Sequence, residues 1–265
     1  MNKNPIIAAK FMLAAKYEDY ARPPLALCMP KLNGIRAMYV PGAGFFSRDG
    51  VQYSPAVVNH IKVRSMYPVD GEFYVHNWDL QRINAAIGVN LDQPVADTAA
   101  VRFHVFDVLS PMDSADRRRG YIPSIVAGGE NLVEVDQRLL QYSQFDSHFD
   151  NCVKGGFEGQ MLKLPFSPYT AGRTPRLLKR KNWQYIDATV IEVFEGLGEL
   201  GGMFGGALVE TAAGIRFNVG CGKGLTHEER IRIWRNPKTL LGRVVKVKYI
   251  FASADNKPLN ATVIL

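Results

Sequence analysis

Two apolar runs near the start of the chain, LALCMP (25–30) and AMYV (37–40), read as β-strands, and the polar stretch KLNGIR (31–36) stands between them. Its Asn33-Gly34 pair is the strongest short-range signal for a two-residue hairpin turn. That places Lys31 at a hairpin tip beside sheet, where a desolvated amine can serve as a nucleophile. Residues 7–16 are Ala-rich and predict a short helix. GFFSRDG (44–50) predicts a strand closed by an Asp-Gly turn. SPAVVNHIKVRS (54–65) predicts a helix with Ser54 as its cap and Pro55 at its first position.

Further along, YPVDGEFYV (67–75) is a strand with acidic residues at its centre, and DLQRINAAIGV (79–89) is helical. VRFHVFDVL (101–109) alternates too little for a half-exposed strand and reads as a buried one. Residues 115–127 predict a helix interrupted at Pro123, LVEVDQRL (132–139) a strand, and SQFDSHFDNCVKGG (143–156) a helix stopping at Gly155-Gly156. EGQMLKLP (158–165) and PRLLKRKNW (175–183) predict two strands joined by a loop of Pro, Gly and Thr. Lys179 and Lys181 alternate on the second of these, so both face one side, and Arg180 faces the other as a surface or nucleic-acid contact.

The texture changes near residue 184, which divides the chain into an expected domain 1–183 and a second, 184–265. From Asp187 onward come short strands, DATVIEVFE, GALVET, IRFNVG, GRVVKVKYIF and ATVIL, separated by glycine-rich turns. One helix, HEERIRIW (227–234), interrupts them, with Thr226 and Glu229 spaced for a capping box. Five strands and one helix predict a small closed barrel of the OB type.

The net charge is +7 with a pI near 9.3, a moderate basic excess that favours a polyanionic partner. Its placement says more: from Gly159 to Ile186 there are six basic residues (Lys163, Arg173, Arg176, Lys179, Arg180, Lys181) and no acidic one. Cys28, Cys152 and Cys221 are odd in number and far apart. They exclude a disulfide framework and a four-cysteine zinc site and fit a reducing compartment. No apolar run approaches the ~18 residues of a membrane span, and no signal-peptide pattern opens the chain. A soluble intracellular protein is the expectation.

KLNGIR, SRDG (47–50), DGE (70–72), FDV (106–108), EGQMLK (158–163) and LLKRK (177–181) occur in the order and approximate spacing of the covalent nucleotidyltransferases. Within that superfamily the chain resembles small ATP-dependent DNA ligases, from about Met12 to its C-terminus. EGLGELGGMFGGALVE (195–210), and the run from IRFNVG through THEERIRIW to GRVVKVKY, resemble the ligase OB domain. The resemblance implies an α+β fold: an ATP-grasp-like nucleotidyltransferase domain with antiparallel sheets, followed by an OB-fold β-barrel.

It also implies roles. Lys31 is the nucleophile that takes AMP from ATP, and Lys179 and Lys181 clamp the α-phosphate. Arg36 and Arg48 hold the ribose or a phosphate, Glu72 binds the ribose or a metal, Phe106 stacks on adenine, and Lys163 is a further cofactor contact whose plainer reading is a solvated strand-end lysine. Glu158, with Glu72, is a metal-associated acid, and Mg²⁺ suits a few carboxylates completed by phosphate oxygens. Asp70 is read as shaping the turn beside Glu72. The implied reaction is nick sealing in duplex DNA by a monomer, with RNA ligation, mRNA capping or a catalytically inactive nucleic-acid-binding relative as alternatives. The 30 residues before Lys31 are read as too few for the domain with which NAD-dependent ligases recognise nicotinamide, so ATP is the expected cofactor. Two departures from the pattern stand out: Asn33 replaces the usual Asp, and after Lys257 the tail PLNATVIL lacks the family's usual basic motif.

Overall fold

The computed structural model describes residues 4, 7, 10–20, 22–110, 112–222, 224–252, 256–259 and 261–265. The chain forms two compact units, Met1–Lys181 and Asn182–Leu265. In chain order the strands of the first are β1 (Met12–Lys16), β2 (Leu25–Lys31), β3 (Ile35–Val40), β4 (Gly44–Ser47), β5 (Val69–Tyr74), β6 (Arg102–Val108), β7 (Leu132–Glu134), β8 (Arg138–Gln141), β9 (Gly159–Lys163) and β10 (Gly172–Lys181). Its helices are α1 (Pro55–Val58), α2 (Leu80–Ile87), α3 (Ala115–Arg119), α4 (Ile122–Ala127) and α5 (Phe145–Lys154).

The strands make two five-stranded sheets, ordered β1–β10–β9–β2–β8 and β4–β3–β5–β6–β7. Most pairs are antiparallel, but β1 with β10 and β6 with β7 run parallel, so the sheets are mixed and not purely antiparallel. One core cluster draws on both: Met29 and Leu177 from the first sheet, Phe73, Phe103 and Val105 from the second. On the other face of the first sheet, Ala26, Cys28, Leu162 and Leu178 pack with Phe145 of α5.

Several local expectations are corrected. β2 and β3 are not a hairpin; they belong to different sheets, and Leu32–Gly34 carries the chain from one to the other. A primed hairpin turn needs positive φ at Asn-Gly, and neither Asn33 nor Gly34 has it. Gly34 instead approaches β5 so closely that a Cβ there would lie 2.3 Å from the Phe73 carbonyl oxygen. Residues 12–16 form a strand where a helix was expected, because β1 pairs with β10; residues 8 and 9 of that stretch lie outside the described residues. The predicted helix from 54 shrinks to α1, since Ser54 Oγ donates to the Asp92 carbonyl and Lys62 bridges to Glu130. Pro123 opens α4 in its first turn and does not break a longer helix. LVEVDQRL divides into β7 and β8, one in each sheet, with Val135 bonded to the Val105 carbonyl and Gln137 buried between them.

The second unit contains β11 (Gln184–Glu195), β12 (Phe204–Thr211), β13 (Arg216–Gly220), α6 (His227–Arg235), β14 (Val244–Tyr249), β15 (Phe251–Ala252), β16 (Pro258–Leu259) and β17 (Thr262–Ile264). Strands β11–β12–β13–β17–β14 close into the expected barrel. β11 is long enough to pair with both β12 and β14, and register shifts along its pairing with β12 bend it around the wall. Val190, Phe204, Phe217 and Val247 fill the interior. The capping box forms as predicted: Glu229 N–H donates to Thr226 Oγ1 at 3.2 Å, and Thr226 N–H donates to Glu229 Oε2 at 2.8 Å. Among the described residues no helix is long and apolar enough to cross a membrane.

Candidate active site

The site is built around Gly159, the first residue of β9. Its register partners are Lys31 on β2 and Lys181 on β10, so the two lysines flank one glycine in adjacent strands and project to the same face. Gly159 has φ of +150°, and a Cβ there would fall 2.2 Å from the Arg180 carbonyl oxygen. Only glycine lets the three strands close at this row. Glu158, one residue earlier, is tied by its N–H to the Lys31 carbonyl at 3.0 Å. Its buried carboxylate lies between the two ammonium groups, ion-paired to Lys31 and to Lys181, the latter at 2.5 Å. Burial pushes the Glu158 carboxyl up, but Lys31 and Lys181 together outweigh it and hold the group below its ordinary value. Lys179 lies one row further along β10 on the same face. Partial burial, then the positive charge of Lys181, Arg173 and Lys31, lowers its pKa.

The second sheet supplies the facing groups. Arg36, Glu72 and His104 stand in one row across β3, β5 and β6. Glu72 accepts the Gly34 N–H at 2.6 Å, which links the crossover after Lys31 to β5. Burial raises the Glu72 carboxyl even though Lys31, the Gly34 N–H and Arg36 act against that rise. Arg36 binds Asp70 through two bonds of 3.0 and 2.5 Å, with its guanidinium 5.3 Å from the Phe11 ring centroid and 5.4 Å from that of Phe106. Asp70 is thus a buried ion-pair partner and not a turn former. Burial lowers the His104 imidazole to about 4, leaving a neutral ring in this row.

Phe106 owes its position to a bulge. Asp70 pairs with Asp107 and Gly71 with Val105, so Phe106 is the extra residue between them. A bulge re-aims its side chain and releases its carbonyl from the ladder. That carbonyl accepts from Lys163 Nζ at 2.8 Å and Gln137 Nε2 at 3.1 Å. Lys163 is therefore not a solvated strand-end lysine. It is 1% exposed and also pairs with Asp107 at 2.8 Å, while Arg118 binds the same carboxylate at 2.7 and 3.2 Å. Those two cations hold Asp107 below its ordinary pKa despite its burial, and burial lowers Lys163.

Lys31, Lys179, Lys181 and Glu158 thus come together on the first sheet, and Arg36, Glu72 and Phe106 on the second. Arg48 stands apart, exposed in the turn after β4. Arg180 faces away as its position predicts, paired with Asp146 at 2.6 Å over the Phe149 ring. Asp107, Arg118, Gln137 and Tyr169 carry no role in the sequence reading; the largely apolar run of β6 gives no sign that Asp107 has partners 11 and 56 residues away. Two carboxylates, Glu72 and Glu158, fit a divalent cation that completes its shell with phosphate oxygens and water. Among the described residues no group of three or more His, Cys, Asp or Glu could hold a metal alone.

The chain and its fold are similar to known proteins. Residues 195–264 match the DNA ligase OB-like domain. A DNA ligase of Haemophilus influenzae is 24% identical over 238 residues, covering 88% of this chain and 83% of that protein. A structure from an analysis of DNA binding with a minimal scaffold by Lig E DNA ligases superposes with a TM-score of 0.78 at 26% identity, covering 96% of this chain and 97% of the other. The Chlorella virus DNA ligase-adenylate shares the fold, with a TM-score of 0.55 at 22% identity and coverage of 97% and 98%.

Proposed function

We infer that this chain is an ATP-dependent DNA ligase, and we propose that it seals nicks in duplex DNA with Lys31 as the residue that carries AMP. The observation that supports this reading best is the meeting of Lys31, Lys181 and Glu158 at Gly159, in a chain similar to DNA ligases over nearly its whole length.

In the proposed first step Lys31 Nζ attacks the α-phosphorus of ATP, forming an N–P bond as the bond to pyrophosphate breaks. The amine gives up its proton to solvent before it attacks, and Glu158 keeps Lys181 as a cationic partner once Lys31 is neutral. Lys179 and Lys181 then face the negative charge that builds on the phosphate. Phe106 offers its ring to the base, Arg36 and Glu72 address the ribose or a phosphate, and Arg48 reaches a phosphate from its turn. Lys163 supports the base contact through the Phe106 carbonyl. Glu72 and Glu158 would hold Mg²⁺, which neutralises phosphate charge when bound. In the second step a 5′-phosphate oxygen at the nick displaces Lys31 from AMP; in the third, the 3′-hydroxyl displaces AMP and closes the strand.

The basic run of residues 159–186 suits phosphate contacts without base readout, so nick binding should be sequence-independent and weaken with salt. Every residue named for the first step lies in one unit of one chain, which favours a monomer. Such sealing serves replication, repair and recombination, and the expected setting is the cytoplasm.

The test is sealing of a labelled nicked duplex with ATP, GTP or NAD as the nucleotide, on all-DNA and RNA-containing nicks. Sealing of all-DNA nicks with ATP alone supports the proposal. Activity confined to RNA nicks, or labelling by GTP, overturns it in favour of RNA ligation or capping.

A further inference from the structure

Asp70 and Asp107 lie directly opposite each other on β5 and β6, both almost fully buried. Like charges so placed repel, and each is neutralised separately: Asp107 by Lys163 and Arg118, Asp70 by Arg36. Tyr169, on the loop between β9 and β10, joins the two groups. Its hydroxyl donates to Asp70 Oδ2 at 2.6 Å and accepts the Met12 N–H at 3.0 Å. Its ring lies 5.6 Å from the Arg118 guanidinium. One phenol thus ties β1 and the β9–β10 loop of the first sheet to the carboxylate that orients Arg36 on the second.

We propose that Tyr169 is a positioning residue for nucleotide binding, acting through Asp70 to fix the Arg36 guanidinium. The idea rests on the reading of Arg36 as a ribose or phosphate contact. A guanidinium gripped at Nε and one terminal nitrogen has a defined plane, and its remaining donors point in fixed directions. Asp70 can grip in this way only while its own rotamer is held. Without the Tyr169 hydroxyl, Asp70 Oδ2 keeps Arg36 as its one side-chain donor among the described residues, and the pair is held less firmly. The hydroxyl also has both its functions in use, one as donor and one as acceptor, so its replacement by solvent in a packed site is unfavourable. The expected defect is in how tightly the nucleotide is held and not in the chemistry at Lys31.

The experiment compares Tyr169→Phe, Arg36→Ala and the double variant by the rate of ATP-dependent adenylation across ATP concentrations. Sealing of a pre-adenylated nick and the thermal midpoint are measured alongside. Tyr169→Phe keeps the ring and its contact with Arg118 and removes one oxygen. Loss of one buried hydrogen bond to a charged group predicts a rise of about tenfold in KM for ATP with little change in kcat. In the Arg36→Ala background the same change should add nothing to KM, because the residue through which Tyr169 acts is already gone. Tyr169→Phe that lowers the thermal midpoint but leaves KM for ATP at the wild-type value overturns the proposal, as does a full additional KM effect in the double variant. Arg36→Ala with an unchanged KM overturns the reading of Arg36 itself, and the proposal with it.

Discussion

Replacing Lys163 by Met removes a charge from the interior while keeping an unbranched side chain of similar length. In the native protein the ammonium has contacts of 2.8 Å with both Asp107 and the Phe106 carbonyl, and its side chain is 2% exposed. Removing one partner of a buried ion pair typically costs about 3–5 kcal/mol. Arg118 stays bound to Asp107 through two hydrogen bonds, which puts the expected loss at the low end, about 3 kcal/mol. For a folding unit of this size that corresponds to a fall of roughly 6–12 °C in Tm. Circular dichroism melts of wild type, Lys163→Met, Asp107→Asn and the double variant measure it. The double variant should lose less than the sum of the two singles, because the Lys163–Asp107 contact can be lost only once, while Arg118 loses its carboxylate whenever Asp107 is replaced. The adenylation assay should show a raised KM for ATP, because Phe106 loses one of two groups holding its bulged carbonyl. A Tm within about 2 °C of wild type would refute the account of Lys163 as an internal strut and return it to the role of an accessible lysine.

Lys181→Ala should slow adenylation by ~10²–10³ while nick binding in a gel-shift assay changes much less; equal losses in both would make Lys181 a part of the DNA-binding surface only. His104 carries a pH dependence of stability. Its imidazole takes up a proton near 6.5 when unfolded and near about 4 when folded, so the unfolded state binds more protons between these values. Stability from His104 is full above pH 6.5 and lost as the pH falls toward 4, by up to about 1.4 kcal/mol per pH unit. Urea denaturation at pH 7 and pH 5 should therefore show a smaller acid loss in His104→Gln than in wild type.

The barrel was legible in the sequence because its strands alternate and most of its turns carry glycine; Thr226 and Glu229 marked the helix without reference to anything distant. The meeting of strands at Gly159 was legible in part through the two-residue period, which set Lys179 and Lys181 on one face and Arg180 on the other. What local pattern could not carry was partnership across the chain. Asn33-Gly34 is a strong turn signal, yet contact with β5 overrides it and sends β2 and β3 into different sheets. Lys163 resembles an exposed strand end until Asp107, Arg118 and the freed carbonyl of Phe106 are placed around it. The bulge at Phe106 and the Tyr169–Asp70–Arg36 chain depend on register between strands distant in sequence. LVEVDQRL reads as one strand because nothing local records that Val135 stays with β6 while Arg138 leaves for β2.

The central claim is that Lys31 carries AMP. Intact-mass measurement of the protein after incubation with ATP and Mg²⁺, followed by peptide mapping, tests it directly. The account predicts one added AMP located on Lys31, removed by added pyrophosphate and absent from Lys31→Ala. Adenylation of Lys31→Ala, or AMP mapped to another residue of the wild type, would contradict it.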